Sequence, residues 1–215
     1  MIWILMIAVM FLSMLVQARL KSRFAKYSEV PTSLTGAEVA QRMLQAHGIH
    51  DVNIVSVEGT LTDHYNPQTK TVNLSHDVYY GRSVAAHECG HVVQHAVGYG
   101  PLKLRSAMVP VLTFTNSWIS WVLLAGLFLY QVFPSLLWIG IGLFALTTLF
   151  SFITLPVEIN ASARAVQWLD NAGVVSYETK PMAQDALKWA AYTYVIAAIG
   201  SLATLLYYIS MARRR

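Results

Sequence analysis

Residues 106–157 read SAMVPVLTFTNSWISWVLLAGLFLYQVFPSLLWIGIGLFALTTLFSFITLPV, a run that contains no Asp, Glu, Lys, Arg or His. Crossing a hydrocarbon core of about 30 Å takes roughly 20 apolar residues, so this run is long enough for two membrane spans. Pro134 separates a span predicted at about 107–133 from one at about 136–155. The domain boundaries that we predict therefore place two transmembrane helices within residues 107–155.

Two further stretches carry no charge, residues 1–18 and residues 189–212. They predict an N-terminal transmembrane helix within residues 1–18 and a C-terminal one within residues 189–211. The chain is 55% hydrophobic and 12% charged, whereas soluble domains carry about 25% charged residues. The first run is followed rather than preceded by basic residues and lacks an A-x-A site, which favours a retained signal anchor over a cleaved signal peptide. The sequence predicts a membrane protein with four helices in the bilayer.

The basic residues lie mainly at the ends of the apolar runs, and this explains the net charge of +4 and the pI of about 9.2. Such residues are either simply solvated or attracted to anionic lipid headgroups. No basic stripe interleaved with aromatics occurs, so nucleic acid is not expected as a partner. Segment 19–105 holds nine of the fifteen Lys and Arg residues, which predicts that it faces the cytoplasm of a cell-membrane protein. Four crossings would place the basic C-terminal residues Arg213, Arg214 and Arg215 on the outer side, which argues against this orientation.

Segment 19–105 has the patterns of a small α+β domain. Thr35 and Glu38 have the spacing of a capping box, and Gly48 is a plausible end for the helix that follows. The β-branched run 52–57 predicts a strand, and the turn sequence Asn66-Pro67-Gln68-Thr69 predicts a hairpin within 61–75. A helix over 82–96 completes the domain. In segment 156–188, Pro156 predicts a kink or helix end, and an amphipathic helix is expected over 158–170.

An H-E-x-x-H motif lies on the last helix of this domain, His87-Glu88-Cys89-Gly90-His91. Residues four apart lie on one helix face, so His87 and His91 can bind one ion, while Glu88 can take a proton from the attacking water. Zinc suits such a site because it takes nitrogen ligands in tetrahedral geometry. Chance occurrence is the alternative, but three ionisable residues in one helical turn would be costly as core filling.

A catalytic zinc needs a third protein ligand. Gln94 and Val97 replace the Gly and the last His of the extended motif H-E-x-x-H-x-x-G-x-x-H, and His95 is predicted to be a neighbouring or surface residue. Glu158, directly after the long apolar run, is the candidate that we favour. Its alternative role is to complement the dipole of a helix that begins there. Two membrane crossings separate His91 from Glu158, so both arrive on the same face of the bilayer.

Together, these residues resemble the bacterial YugP-type membrane zinc metallopeptidases over nearly the whole chain. The similarity is carried by four runs of residues: 63–67 (DHYNP), 72–75 (VNLS), 83–94 and 158–165. The resemblance implies an α-helical membrane protein with a small α+β, gluzincin-like zinc peptidase domain. It also implies that His87, His91 and Glu158 bind Zn²⁺ and that Glu88 is the catalytic base.

The related HtpX-type gluzincins carry an Asp four residues after the ligand Glu, where this chain has Ser162. The support that this Asp gives to a metal histidine is therefore expected from Asn160 or Arg164 instead. By analogy, residues 71–74 form either an edge strand for substrate or plain sheet structure. Candidates for the donor that stabilises the oxyanion are His64, Tyr65, Arg164 and Tyr177. Cys89, Tyr192 and Tyr194 are predicted to serve packing.

The sequence thus predicts a membrane-embedded zinc endopeptidase whose substrates are proteins or peptides, with membrane proteins in quality control as the suggested class. The alternative is a non-catalytic adaptor or chaperone-like protein stabilised by zinc, which needs a fourth ligand such as His95 or His64. A transporter would place ionisable residues within the spans, and the apolar runs contain none.

Overall fold

The computed structural model describes residues 2–28, 34–60, 62–81 and 85–214. Seven helices and three strands follow one another within these ranges. Their bounds, in chain order, are α1 Ile2–Ser28, α2 Gly36–Ala46, β1 Asn53–Val57, β2 His64–Asn66, β3 Thr71–Ser75, α3 His76–Tyr79, α4 Ala86–Ala96, α5 Gly100–Phe128, α6 Pro134–Asn171 and α7 Lys180–Arg214.

Among the described residues, four helices are long and apolar enough to cross a membrane, namely α1, α5, α6 and α7. This agrees with the number of spans predicted from the apolar runs. Each helix extends past its run into charged sequence: α1 continues through the basic cluster to Ser28, and α5 already begins at Gly100. The longer α5 places Lys103 and Arg105 on a membrane helix instead of in the polar domain.

The prediction that the helix ends or a second helix begins near Pro156 is wrong. Helix α6 runs without interruption from Pro134 to Asn171, with Pro156 inside it. A proline removes one backbone hydrogen bond, and packing against neighbouring helices compensates for this loss in membrane helices. Glu158 is therefore far from a helix N-terminus, which removes the alternative that it only complements a helix dipole. Pro110 likewise lies inside α5.

The polar domain is formed by α2, α3, α4 and a three-stranded sheet in the order β1-β3-β2. Thr35 caps α2 with the predicted capping box, and Gly48 adopts a left-handed φ of 69° after it. β2 and β3 form the predicted antiparallel hairpin, whereas β1 and β3 are parallel. Because β3 is the central strand, residues 71–74 do not form an edge strand, and the edge nearest α4 belongs to β2.

The core of the polar domain also includes the end of α6. Ala165 and Leu169 of α6 are fully buried together with residues of α2, the sheet and α4. Residue Ala161, one turn earlier, meets α4 directly at Gly90, since the two helices approach closely there. The part of the helix 82–96 that precedes Ala85 lies outside the described residues. Helix α6 thus crosses from the bilayer into the polar domain and packs along the helix that carries H-E-x-x-H.

Replacing Gly90 by Ala is expected to destabilise the protein. A Cβ at this position would overlap the carbonyl oxygen of Ala161 and lie 2.9 Å from its carbonyl carbon. Overpacking against backbone costs about 3 kcal/mol at the upper end of its usual range. We expect a lower thermal unfolding temperature in detergent-purified protein. Gly142→Ala is the matched control, because a Cβ there meets nothing within 4 Å; equal stability of both variants would contradict the close packing.

Candidate metal centre

Helix α4 places the two histidines of the motif on its inner face. Ala86, Cys89, Gly90 and His91 are buried, and His87 is half-buried at the solvent side of this face. The imidazole rings of His87 and His91 lie 5.0 Å apart between centroids and are nearly perpendicular, at 83°. The helical period therefore brings both rings to one place, as expected from their spacing.

Glu158 reaches these rings from α6. Its side chain is 2% exposed, and its Oε2 atom lies 3.2 Å from Nε2 of His87 and 3.5 Å from Nε2 of His91. Within the described residues, these three side chains offer ligand atoms that all lie within 4.8 Å of one another. Two ligands at about 2.1 Å on a tetrahedral zinc are about 3.4 Å apart, so the spacing of the three atoms fits this ion.

Hydrogen bonds on the far side of each ring support the same arrangement. Nδ1 of His87 lies 3.1 Å from the hydroxyl of Ser162, and Nδ1 of His91 lies 3.1 Å from Oε1 of Gln94. When Nδ1 donates to such a partner, Nε2 carries the free lone pair that a metal needs. Both Nε2 atoms face Glu158, so the two nitrogens and one carboxylate form a donor set that suits zinc, and a tetrahedral ion held by these three residues would have one further position for water.

The electrostatic field at the site favours a positive charge. Burial acts to lower the pKa of His87, but the hydrogen bond with Glu158 and the nearby Glu88 carboxylate outweigh it, so the pKa lies above its usual value. The same carboxylates stabilise a bound cation. Glu88 is half-buried beside His87 in the first turn of α4, where it remains accessible to a water or substrate.

Comparison with known proteins connects the chain to zinc peptidases. Residues 2–213 match the model of a family described as "Putative neutral zinc metallopeptidase". The chain belongs to this family. It is 43% identical over 212 residues to the "Putative membrane protease YugP" of Bacillus subtilis (strain 168), covering 95% of this chain and 93% of that protein. No solved structure matches the chain significantly. As a member of this family with four long apolar helices, the chain is a membrane protein.

In this member of the family, the side chain that contacts the outer nitrogen of His91 is Gln94, and not Asn160 or Arg164 as expected. Gln94, which is fully buried, contacts His91 and donates from Nε2 to the Val157 carbonyl at 2.8 Å and to Oδ1 of Asn160 at 3.0 Å. Arg164 donates to the same Asn160 oxygen at 2.8 Å. Asn160 and Arg164 therefore reach the histidine through Gln94, while Ser162 contacts the other histidine itself.

The other candidates from the sequence lie farther out. The Tyr65 hydroxyl of β2 is 3.1 Å from Nδ1 of His95 on α4, so these two residues join the sheet edge to the helix. His64 alternates to the opposite face of the strand, and its Nδ1 lies 2.8 Å from the Thr62 carbonyl. Tyr177 is 95% exposed between α6 and α7. The structure does not bring Tyr177 to the site.

Cys89 has the packing role predicted from the sequence. It is fully buried, and its Sγ lies 3.7 Å from the carbonyl oxygen of Ala40 in α2. Burial raises the pKa of its thiol well above the usual range. A protonated, buried thiol is a poor nucleophile. Cys89 therefore serves the packing of α4 against α2.

Two residues that were not predicted from the sequence reach the site from the membrane helices. Nη1 of Arg105, on α5, is 3.4 Å from Oε1 of Glu158. The Tyr194 hydroxyl of α7 interacts with the carboxylates of Glu158 and Glu88, although this tyrosine was expected to serve only helix contacts. Neither residue belongs to a local motif, so no signal in the sequence marks it. Gln94 had a local signal, since it lies three residues after His91 on the same helix.

Proposed function

We propose that this protein is a membrane-embedded, zinc-dependent endopeptidase with a gluzincin-like site. His87, His91 and Glu158 would bind the zinc, and Glu88 would be the catalytic base. The observation that carries this proposal is the convergence of three ligand atoms within 4.8 Å, with both Nδ1 atoms engaged elsewhere. Membership of a family described as zinc metallopeptidases supports the same activity.

Bound zinc would polarise the scissile carbonyl and make water nucleophilic near neutral pH. Glu88 accepts the proton of the attacking water and then delivers it to the leaving amine. Ser162 and Gln94 hold the two imidazoles in the orientation that binding requires. Tyr194 is the candidate donor that we favour for the developing oxyanion, because its hydroxyl interacts with the carboxylate of Glu158.

The substrate would be a protein chain in an extended conformation. β2 is an edge strand, and Tyr65 links it to α4 through His95. An extended peptide can pair with such an edge through backbone hydrogen bonds and lie across the metal site. β2 therefore takes the substrate-pairing role considered for residues 71–74, which lie in the central strand between β1 and β2.

We place the protein in the cell membrane as a multi-pass protein, with its active site on the cytoplasmic side. The excess of basic residues in segment 19–105 supports this orientation. Arg23 near the end of α1 pairs with Asp185 near the start of α7 at 3.3 Å, so these helix ends lie together on that side. A site at this position suits membrane proteins or their exposed segments as substrates, as in quality control.

The non-catalytic adaptor is less well supported. A structural zinc site uses four protein ligands. The two histidines considered for the fourth position have other partners, since His95 contacts Tyr65 and His64 contacts the Thr62 carbonyl. No fourth His, Cys, Asp or Glu joins the group within the part of the chain that the structure describes.

Removal of the metal tests the proposal. The full-length protein, purified in detergent, is expected to contain about one zinc per chain by elemental mass spectrometry and to cleave an unfolded protein such as casein. Because three protein donors leave one position for water, 1,10-phenanthroline is expected to reduce cleavage by at least about tenfold, and added Zn²⁺ to restore it. The non-chelating isomer 1,7-phenanthroline is the control. Bound zinc without any cleavage would favour the adaptor.

A further inference from the structure

The two oxygens of the Glu158 carboxylate contact different partners. Its Oε2 atom faces Nε2 of His87 and of His91 at 3.2 and 3.5 Å. Its Oε1 atom faces Nη1 of Arg105 at 3.4 Å. The carboxylate is 2% exposed, so its partners are protein groups such as Arg105 and not bulk water.

We propose that Arg105 is a positioning residue that holds Oε1 of Glu158, so that Oε2 alone is directed at the metal. The terminal torsion of a Glu side chain is broad, and a carboxylate held at one oxygen only can turn away from its ligand position. A guanidinium remains charged at every relevant pH and has donors in a fixed plane. This inference rests on the proposed function, because it assumes that Glu158 is a metal ligand.

Anchoring of the helix end to lipid headgroups does not account for the inward position of the Arg105 side chain. Basic residues at helix ends generally point to lipid headgroups, and the exposed Lys103, two residues earlier on α5, fits that role. The Arg105 side chain is only 30% exposed and is turned inward to Glu158. Arg105 therefore lies within the site and not at the lipid surface.

The position of Arg105 ties a membrane helix to the metal ligand. Only three residues separate the end of α4 from the start of α5, and Arg105 lies in the second turn of α5. Glu158 is on α6, so its carboxylate is bound by α4 on one side and by α5 on the other. Outer partners of metal ligands typically contribute 10- to 100-fold in metal affinity or activity.

Zinc affinity of the full-length protein in detergent tests this role, measured by competition with a chromogenic chelator. Arg105→Gln is expected to raise the zinc Kd about 10- to 100-fold. Arg105→Lys should keep part of the affinity, because it retains the charge but lacks the planar fork. Lys103→Gln, which removes a basic residue from the same helix end, should bind zinc like the wild type. Circular dichroism of each metal-free variant checks that the fold is retained.

Zinc binding by Arg105→Gln that equals or exceeds that of the wild type would overturn the inference and leave the proposed function intact. An unchanged zinc Kd with a higher KM for casein would assign Arg105 to substrate instead, which also overturns it. If the wild-type protein itself binds no zinc, the proposed function fails and this inference fails with it. A weaker zinc Kd in Arg105→Gln with partial recovery in Arg105→Lys supports it.

Discussion

Replacing Glu88 by Gln is expected to stop proteolysis while zinc remains bound. Gln has nearly the same shape but cannot accept the proton of the attacking water, and general base catalysis contributes about 10²- to 10⁴-fold. Glu88 is not one of the three side chains whose ligand atoms converge, so zinc affinity should stay within about twofold of the wild type. The measurements are kcat/KM on casein and zinc content by elemental mass spectrometry.

Glu178→Gln is the matched control for this prediction. Glu178 is an exposed carboxylate between α6 and α7, so its variant should cleave casein at the wild-type rate. Cleavage by Glu88→Gln at the wild-type rate would exclude Glu88 as the base. Loss of zinc together with activity would instead indicate that Glu88 takes part in holding the metal.

Replacing Glu158 by Gln is expected to remove most of the zinc. The carboxylate lies within 3.5 Å of both histidine Nε2 atoms, and a neutral amide is a much weaker ligand for a divalent cation. The loss should exceed the roughly 10- to 100-fold typical of an outer partner, with cleavage lost in parallel. Chelator competition gives the affinity, and circular dichroism checks that the variant is folded.

Asp170→Asn serves as the control on the same helix, because Asp170 is exposed and pairs with Lys180 at 2.7 Å. It should bind zinc as the wild type does. A folded Glu158→Gln variant with undiminished zinc affinity would show that the third ligand is another residue.

Features of the fold and site that depend on local sequence were predicted well. The pairing of His87 with His91 follows from the helical period, and the start of α2 follows from the Thr35 capping box. Glu158 was chosen as the candidate third ligand because it directly follows the long uncharged run, and the count of two membrane crossings put it on the same side of the bilayer as His91. Of the kink or helix end expected at Pro156, the helix end was wrong, because packing around α6 outweighs the local preference of proline.

Contacts between helices that are distant in the chain could not be predicted from the sequence. The distance from Arg105 to Glu158 depends on how α5 crosses α6, and Tyr194 reaches the same carboxylate from α7. Neither crossing angle can be derived from one sequence, because many residue pairs of similar character could meet across these helices. For the same reason, the step from His91 through Gln94 to Asn160 was not anticipated.

Because α6 is continuous, it fixes the distance between the bilayer and the proposed cleavage site. Glu158 directly follows the uncharged run that ends at Val157, and a helix rises 1.5 Å per residue. The height of Glu158 above the lipid is therefore set by the one continuous helix that leaves the bilayer. If the proposed function holds, a scissile bond has to reach the height of Glu158, so a segment next to a membrane anchor would meet the site readily. A bond on a folded domain farther from the membrane would reach the site only after that domain unfolds.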